Sequence, residues 1–181
     1  MLYIVEMALN PGHTDEDWER WAIEMKPAEL LMTVPGIRSC QRFKGVSDPL
    51  AYYAHYDIDG AEVLTSPAYR GVGGGVRVKN WNSHNIAYWH RNIVEGVASV
   101  PAVPEGYLLL VKNASSLDFP DEGMPFIRLT TVGLDKTAPY RGIAVVPAGE
   151  AKLRISRDSD IRVYKPIAPQ MRKDPAGQTT N

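Results

Sequence analysis

The chain has 181 residues, of which 44% are apolar and 23% charged, and its 20 Lys and Arg against 21 Asp and Glu leave a formal net charge of -1. That balance argues against a nucleic-acid binder, which shows a basic excess or stripe. The apolar runs are only a few residues long, against roughly 20 needed to cross a bilayer, so no membrane partner is expected. Cys40 is the single cysteine; it excludes an intrachain disulfide and suits a reducing compartment, so the cytoplasm is the expected location.

Leu2 to Leu9 reads as a strand, without the basic region and cleavage site of a secretory signal, and it ends in the turn formers Asn10, Pro11 and Gly12. Thr14 then offers an N-cap, and Asp15, Glu16 and Asp17 put negative charge at the positive end of a helix dipole. Trp18, Trp21, Ala22, Met25, Ala28 and Leu31 recur at three- and four-residue steps, a stripe able to cover a sheet. Pro27 removes a ladder hydrogen bond, so a kink or break is expected near Glu24 to Lys26, and the helical segment ends before Pro35 and Gly36. Ile37 to Lys44 and Leu50 to Ile58 read as two strands joined at hairpin-like length. Gly60 to Tyr69 reads as a short helix, Gly71 to Gly75 as a flexible connection, and Asn80 to Ile93 as a fourth strand.

The order β, α, β, β, α, β over residues 1–96 predicts an α+β, ferredoxin-like unit with two helices on one sheet face. The other face would be an apolar association site unless covered, which makes a homodimer the expected partner arrangement. Val97 to Glu105, with Pro101 and Pro104, reads as an extended linker. Residues 106–167 read as a β-rich second unit, with strands over Gly106 to Lys112, Phe126 to Leu134, Arg141 to Val146 and Asp160 to Pro166. This unit is compatible with a degenerate second copy, although no strong self-similarity is visible. Residues 168–181 read as a loose tail.

The run Trp21-Ala22-Ile23-Glu24-Met25-Lys26-Pro27, then Val34-Pro35-Gly36-Ile37 and Gln41-Arg42-Phe43, resembles the EthD-like branch of the dimeric α+β barrel superfamily. Tyr56-Asp57-Ile58 and Val63-Leu64-Thr65-Ser66-Pro67-Ala68-Tyr69 are similar to the same family's third strand and second helix. The resemblance covers about half the chain. It implies a barrel of two four-stranded sheets with small-molecule pockets between sheet and helices or inside the barrel. Its known members include isomerases, cyclases, dehalogenases, monooxygenases and haem proteins, so the fold does not select a reaction. Many of them carry a Glu-His pair before the helix proline, where this chain has Met25 and Lys26, and a histidine mechanism is not carried over by that motif.

Two constellations stand out from the residues themselves. Tyr53, His55 and Asp57 fall at two-residue spacing and share one face of a strand, bringing together a phenol, an acid or base and a carboxylate. Such a set suits enolisation, with His55 moving the proton, Tyr53 donating to an oxyanion and Asp57 orienting the imidazole. The same residues also suit hydrogen bonding at a partly buried surface. His84, Tyr88 and His90 share a face of the fourth strand with Asn80, Asn82 and Asn92, which fits a wet cavity or a solvated edge.

His84 and His90 are nearly 20 Å apart at about 3.3 Å per residue, too far to hold one metal together. A mixed site including His55 and Asp57 stays open. Gly71 to Gly75 precedes a strand rather than a helix and reads as a mobile loop, not a phosphate cradle. Arg38 and Arg42 flank Cys40 and would lower its pKa if close, although a buried, inert cysteine is the more usual arrangement; the arginines also suit a carboxylate substrate or a solvated face.

The resulting expectation is an enzyme acting without a cofactor, of isomerase, cyclase or lyase type, that transfers a proton on a small carbonyl-bearing or cyclic organic compound. The alternatives are a non-catalytic ligand-binding or assembly protein, and a haem-binding protein.

Overall fold

A computed structural model describes residues 1–73, 85–121, 123–150, 160–173 and 179–180. Strand β1 (Leu2–Leu9) leads to helix α1 (Asp15–Met25), which opens on a capping box: the Asp17 amide donates to Thr14 Oγ1 at 3.3 Å and the Thr14 amide to Asp17 Oδ2 at 3.3 Å. The helix breaks at Lys26, which adopts a left-handed φ of 44°, and α2 (Pro27–Met32) restarts with its proline at the first helical position, where no amide donor is required. The expected break therefore falls where Pro27 forces it. Strands β2 (Ile37–Gly45) and β3 (Ala51–Ile58) form an antiparallel hairpin. A 3-10 turn (Ala61–Thr65), α3 (Pro67–Gly71) and strand β4 (Ile86–Glu95) complete the first half. The second half supplies β5 (Tyr107–Ala114), β6 (Ile127–Leu134), β7 (Tyr140–Pro147) and β8 (Ile161–Pro166).

Eight strands pair in the order β2-β3-β1-β4-β6-β7-β5-β8, and β8 returns to pair with β2, closing an antiparallel barrel. Closure removes most of the free edge that an open sheet presents, leaving part of β2 beyond its β8 pairing. The face of the first four strands that was expected to need a partner chain is covered here by the second half. One buried cluster fills the barrel from both halves: Leu2, Ile4, Phe43 and Tyr53 meet Leu109, Val111, Leu129, Ile143 and Tyr164. The opposite parity of β1 to β3 faces outward, where Tyr3, Cys40 and Tyr56 pack beneath α2 and α3, and Met7 and Tyr52 pack beneath α1. On the second half's outer face the irregular chain before β6 lies against β7. It comes so close that a Cβ on Gly142 would stand 2.6 Å from Phe119.

The segment 97–105 forms no helix or strand and is packed into one barrel end. Val100 and Val103 are buried, and Gln41 both donates to the Val103 carbonyl at 2.8 Å and accepts from its amide at 2.9 Å. Within the stretch expected to be a loose tail, β9 (Met171–Lys173) pairs with β2, and β10 (Thr179–Thr180) pairs with β9. The free edge of β2 beyond its β8 pairing is what recruits them. Among the described residues no helix is long and apolar enough to cross a membrane.

Candidate functional site

The outward face of β1 and β3 carries Tyr3, Val5 and Met7 beside Tyr52, Ala54 and Tyr56, because successive residues of a strand point to opposite sides. Helices α1 and α2 span this face and place Trp18, Ala28 and Leu31 over it, while α3 contributes Tyr69 and β4 contributes Trp89. Ala54 and Ala28 are too small to fill the gap between the layers. What remains is an apolar chamber of about 70 Å³.

Trp18, Arg42 and Ile167 line both this chamber and an outer recess of about 430 Å³ bounded by Glu19, Ala22, Ile23, Lys26 and Glu29. The chamber alone is smaller than the roughly 150 Å³ void that takes up benzene, so a ring-sized ligand must span the junction between the two.

Aromatic rings wall the chamber. Tyr3 lies 5.5 Å from Tyr56 and 6.5 Å, edge on, from Tyr69, and Trp18 lies 5.1 Å from Tyr52. The Tyr3 and Tyr69 hydroxyls are 3.3 Å apart. Burial, then the neighbouring Tyr69, raises the Tyr3 pKa well above its ordinary value; burial, then Cys40, does the same for Tyr56; and burial pushes Tyr52 up to about 12. These phenols are neutral at any physiological pH and act as hydrogen-bond donors. The Trp89 indole N–H is buried without a partner among the described residues.

At the junction Arg42 is mostly buried, with a side chain 24% exposed, and its ionic partner Glu29 stands 3.8 Å away. Its Nε has no hydrogen-bond partner among the described residues. Cys40 is a buried thiol that Arg42 does not activate. Burial dominates and pushes the thiol up to about 12, with Tyr56 and Arg42 pulling more weakly the other way.

Tyr53, His55 and Asp57 do share a face of β3, and that face points into the barrel; of the three, Tyr53 also borders the chamber, and His55 and Asp57 do not. His55 is 1% exposed, and neither ring nitrogen has a partner among the described residues. Burial lowers its pKa to about 4, with Asp57 opposing, so the imidazole is neutral at pH 7. Burial likewise raises the Tyr53 pKa, and its hydroxyl has no partner among the described residues.

Asp57 does not orient the imidazole. Its oxygens accept from Ser39 Oγ at 2.6 Å, Ser99 Oγ at 2.6 Å and the Val100 amide at 3.2 Å, which ties down the segment closing the barrel end. Tyr88 and His90 share the inward face of β4 and stack at 5.2 Å; His84, Asn80 and Asn82 lie outside the described residues. Asn92 is fully buried and bonds Thr137 through both ends of its amide, at 3.1 and 3.0 Å.

The inward face also holds charges that periodicity did not single out. Glu6, 1% exposed, bridges Arg141 at 2.8 Å and Arg162 at 2.7 Å. Its sequence signal was a lone carboxylate in register with Leu2 and Ile4 inside an otherwise apolar strand, opposite Tyr53 on β3 and His90 on β4. Because Glu6 belongs to the first half and both arginines to the second, this network fastens the two halves across the interior.

Among the described residues, no group of three His, Cys, Asp or Glu is placed to hold a metal ion. The donor set of the chamber and recess does not fit haem either. Among the described residues no histidine lines them to supply an axial imidazole, and the inner chamber is too narrow for a macrocycle.

No protein-family model matches the chain. No curated protein matches its sequence. Solved structures do match it over nearly the whole length, and they define the class: an α+β barrel. An anthrone oxidase-like protein aligns with a TM-score of 0.62 and 13% identity, covering 93% of this chain and 92% of that one. A candidate monooxygenase from Lactobacillus acidophilus aligns with a TM-score of 0.51 and 8% identity, covering 93% and 94%. A candidate chlorite dismutase aligns with a TM-score of 0.53 and 12% identity, covering 92% and 95%. At these identities the likeness is one of fold.

Proposed function

We propose that the chain is a small-molecule enzyme that draws a flat, largely apolar cyclic compound bearing a carbonyl oxygen into the helix-side chamber and promotes its enolisation. The observation that carries this reading is the chamber itself, an apolar slot walled by aromatic rings and supplied with neutral phenols at its inner end. A phenol in that setting donates to a carbonyl oxygen and holds the developing enolate, since a preformed donor in a dry site loses little to water. Glu29, at the junction beside Arg42, is the carboxylate we assign to take the α-proton. No cofactor enters this step. The name of one neighbour, an anthrone oxidase-like protein, is in keeping with a cyclic ketone-like substrate.

The architecture is read in the same terms. The first half has strand order β4-β1-β3-β2 and the second half β8-β5-β7-β6. Adding four to each number of the first gives the second, which supports residues 106–167 as a degenerate copy of a ferredoxin-like unit spanning 1–96. The copies are joined by 97–105, and the helices of the second have been reduced. Membership of the EthD-like branch is part of the same proposal, resting on the motifs around Pro27, Pro35 and Pro67.

The test is hydrogen-deuterium exchange at the α-carbons of 2-tetralone in deuterated buffer, followed by proton NMR. The wild type should accelerate exchange over buffer. Ala54→Phe, which fills the chamber from the sheet side, should abolish the acceleration with folding intact. Exchange no faster than buffer with the wild type removes the enolisation reading.

A further inference from the structure

We infer that the substrate of this chamber carries an anionic group, a carboxylate in the simplest case, which Arg42 binds at the junction while the ring system enters the chamber. The inference rests on the reading of the chamber as the substrate site and adds the chemistry of what enters it.

Three observations converge on Arg42. It lies on the outward face of β2, at the point where chamber, outer recess and a further recess of about 320 Å³ near Cys40 and Met171 all meet. Any ligand spanning inner and outer space passes its guanidinium. The Arg42 side chain is also mostly withdrawn from water, and among the described residues its Nε has no hydrogen-bond partner. A well-paired arginine meets a carboxylate in a two-pronged contact at about 2.7–2.9 Å. Glu29 stands at 3.8 Å through one nitrogen, and its side chain is 45% exposed. Lastly, among the described residues Arg42 is the only charged group lining the inner chamber, whose remaining walls are aromatic and aliphatic. A cation held at the rim of an apolar slot selects ligands that are apolar at one end and anionic at the other.

Arginine suits this task better than lysine, because its planar fork matches a carboxylate with two parallel hydrogen bonds. Glu29 then acts as a placeholder for the substrate anion. In the free protein it keeps the guanidinium partly compensated, and on binding the ligand carboxylate displaces it at short range. Its exposure makes that exchange cheap, and the released carboxylate stays in the recess wall beside the ligand, where it takes the α-proton.

The experiment compares two isosteric probes, 2-naphthoate and 2-acetylnaphthalene, by quenching of tryptophan fluorescence, because Trp18 and Trp89 line the chamber. Wild type should bind 2-naphthoate at least tenfold more tightly than 2-acetylnaphthalene. Arg42→Gln should erase that preference while 2-acetylnaphthalene binds within about twofold of wild type. Glu29→Gln, at a half-exposed position where folding is not at stake, should tighten 2-naphthoate several-fold and leave 2-acetylnaphthalene unchanged. Binding of both probes by wild type with no preference overturns the anionic anchor and leaves the chamber reading standing. Failure of both probes to bind, or binding that Ala54→Phe does not disturb, overturns the two together. If Arg42→Gln does not fold, Glu29→Gln decides: unchanged or weakened 2-naphthoate binding refutes the inference.

Discussion

Lowering the pH should destabilise the protein through His55 alone by an amount that can be worked out from its burial. An unfolded histidine takes up a proton near pH 6.5, whereas burial holds the folded His55 neutral down to about pH 4. Between those values the unfolded state binds more protons, so stability rises with pH across the window and is lost as pH falls through it. The full shift corresponds to about 3 kcal/mol, of which about 2 kcal/mol is lost between pH 7 and pH 5.

The control is His55→Phe, which keeps a ring against Phe43 and Tyr53, at 5.0 and 5.9 Å in the wild type, and removes two buried nitrogens that have no partner among the described residues. Urea melts of both proteins at pH 7, 6 and 5 isolate the histidine term as the difference between them. That difference should favour the wild type less by about 2 kcal/mol at pH 5 than at pH 7. A difference independent of pH, or an imidazole that titrates near 6.5 by NMR, refutes the argument and returns His55 to solvent contact as a general base.

Two further substitutions probe the barrel. Arg141→Met leaves Glu6 with Arg162 as its sole counter-charge and should cost about 3–5 kcal/mol. That lowers the midpoint of thermal unfolding by roughly 6–20 °C for a chain of this size, read by circular dichroism, whereas a drop under about 2 °C contradicts the network's role in joining the halves. Gly96 adopts φ of +121°, and a Cβ there would stand 2.5 Å from the Arg128 carbonyl. Gly96→Ala should therefore cost at least about 1–3 kcal/mol in a urea melt, and a neutral result would show that the turn between β4 and the closing segment is differently arranged.

The strands were legible because turn formers bracket them, and the break at Lys26 was legible because Pro27 admits few alternatives. The shared face of Tyr53, His55 and Asp57 was legible too, since alternation is a property of any strand. Which face borders the chamber was not. Almost every residue of β1 and β3 is buried, so both faces are covered and the polar-apolar contrast that marks an inward side is missing. The partners of Glu6 come from residues more than a hundred positions away, and local spacing carries no information about them. For the same reason the Asp57 carboxylate looked available to His55, when Ser99 and Val100 return across the barrel end to occupy it. Val100 and Val103 sit among prolines and small residues that read as a linker, yet they are part of the core.

A crystal structure of the protein soaked with 2-acetylnaphthalene addresses the chamber most directly. The ring system should lie against Tyr3, Trp18 and Tyr56 with its ketone oxygen within hydrogen-bond reach of a tyrosine hydroxyl. Ligand density inside the barrel beside His55 and Tyr53, with the helix-side chamber closed and empty, would contradict the account.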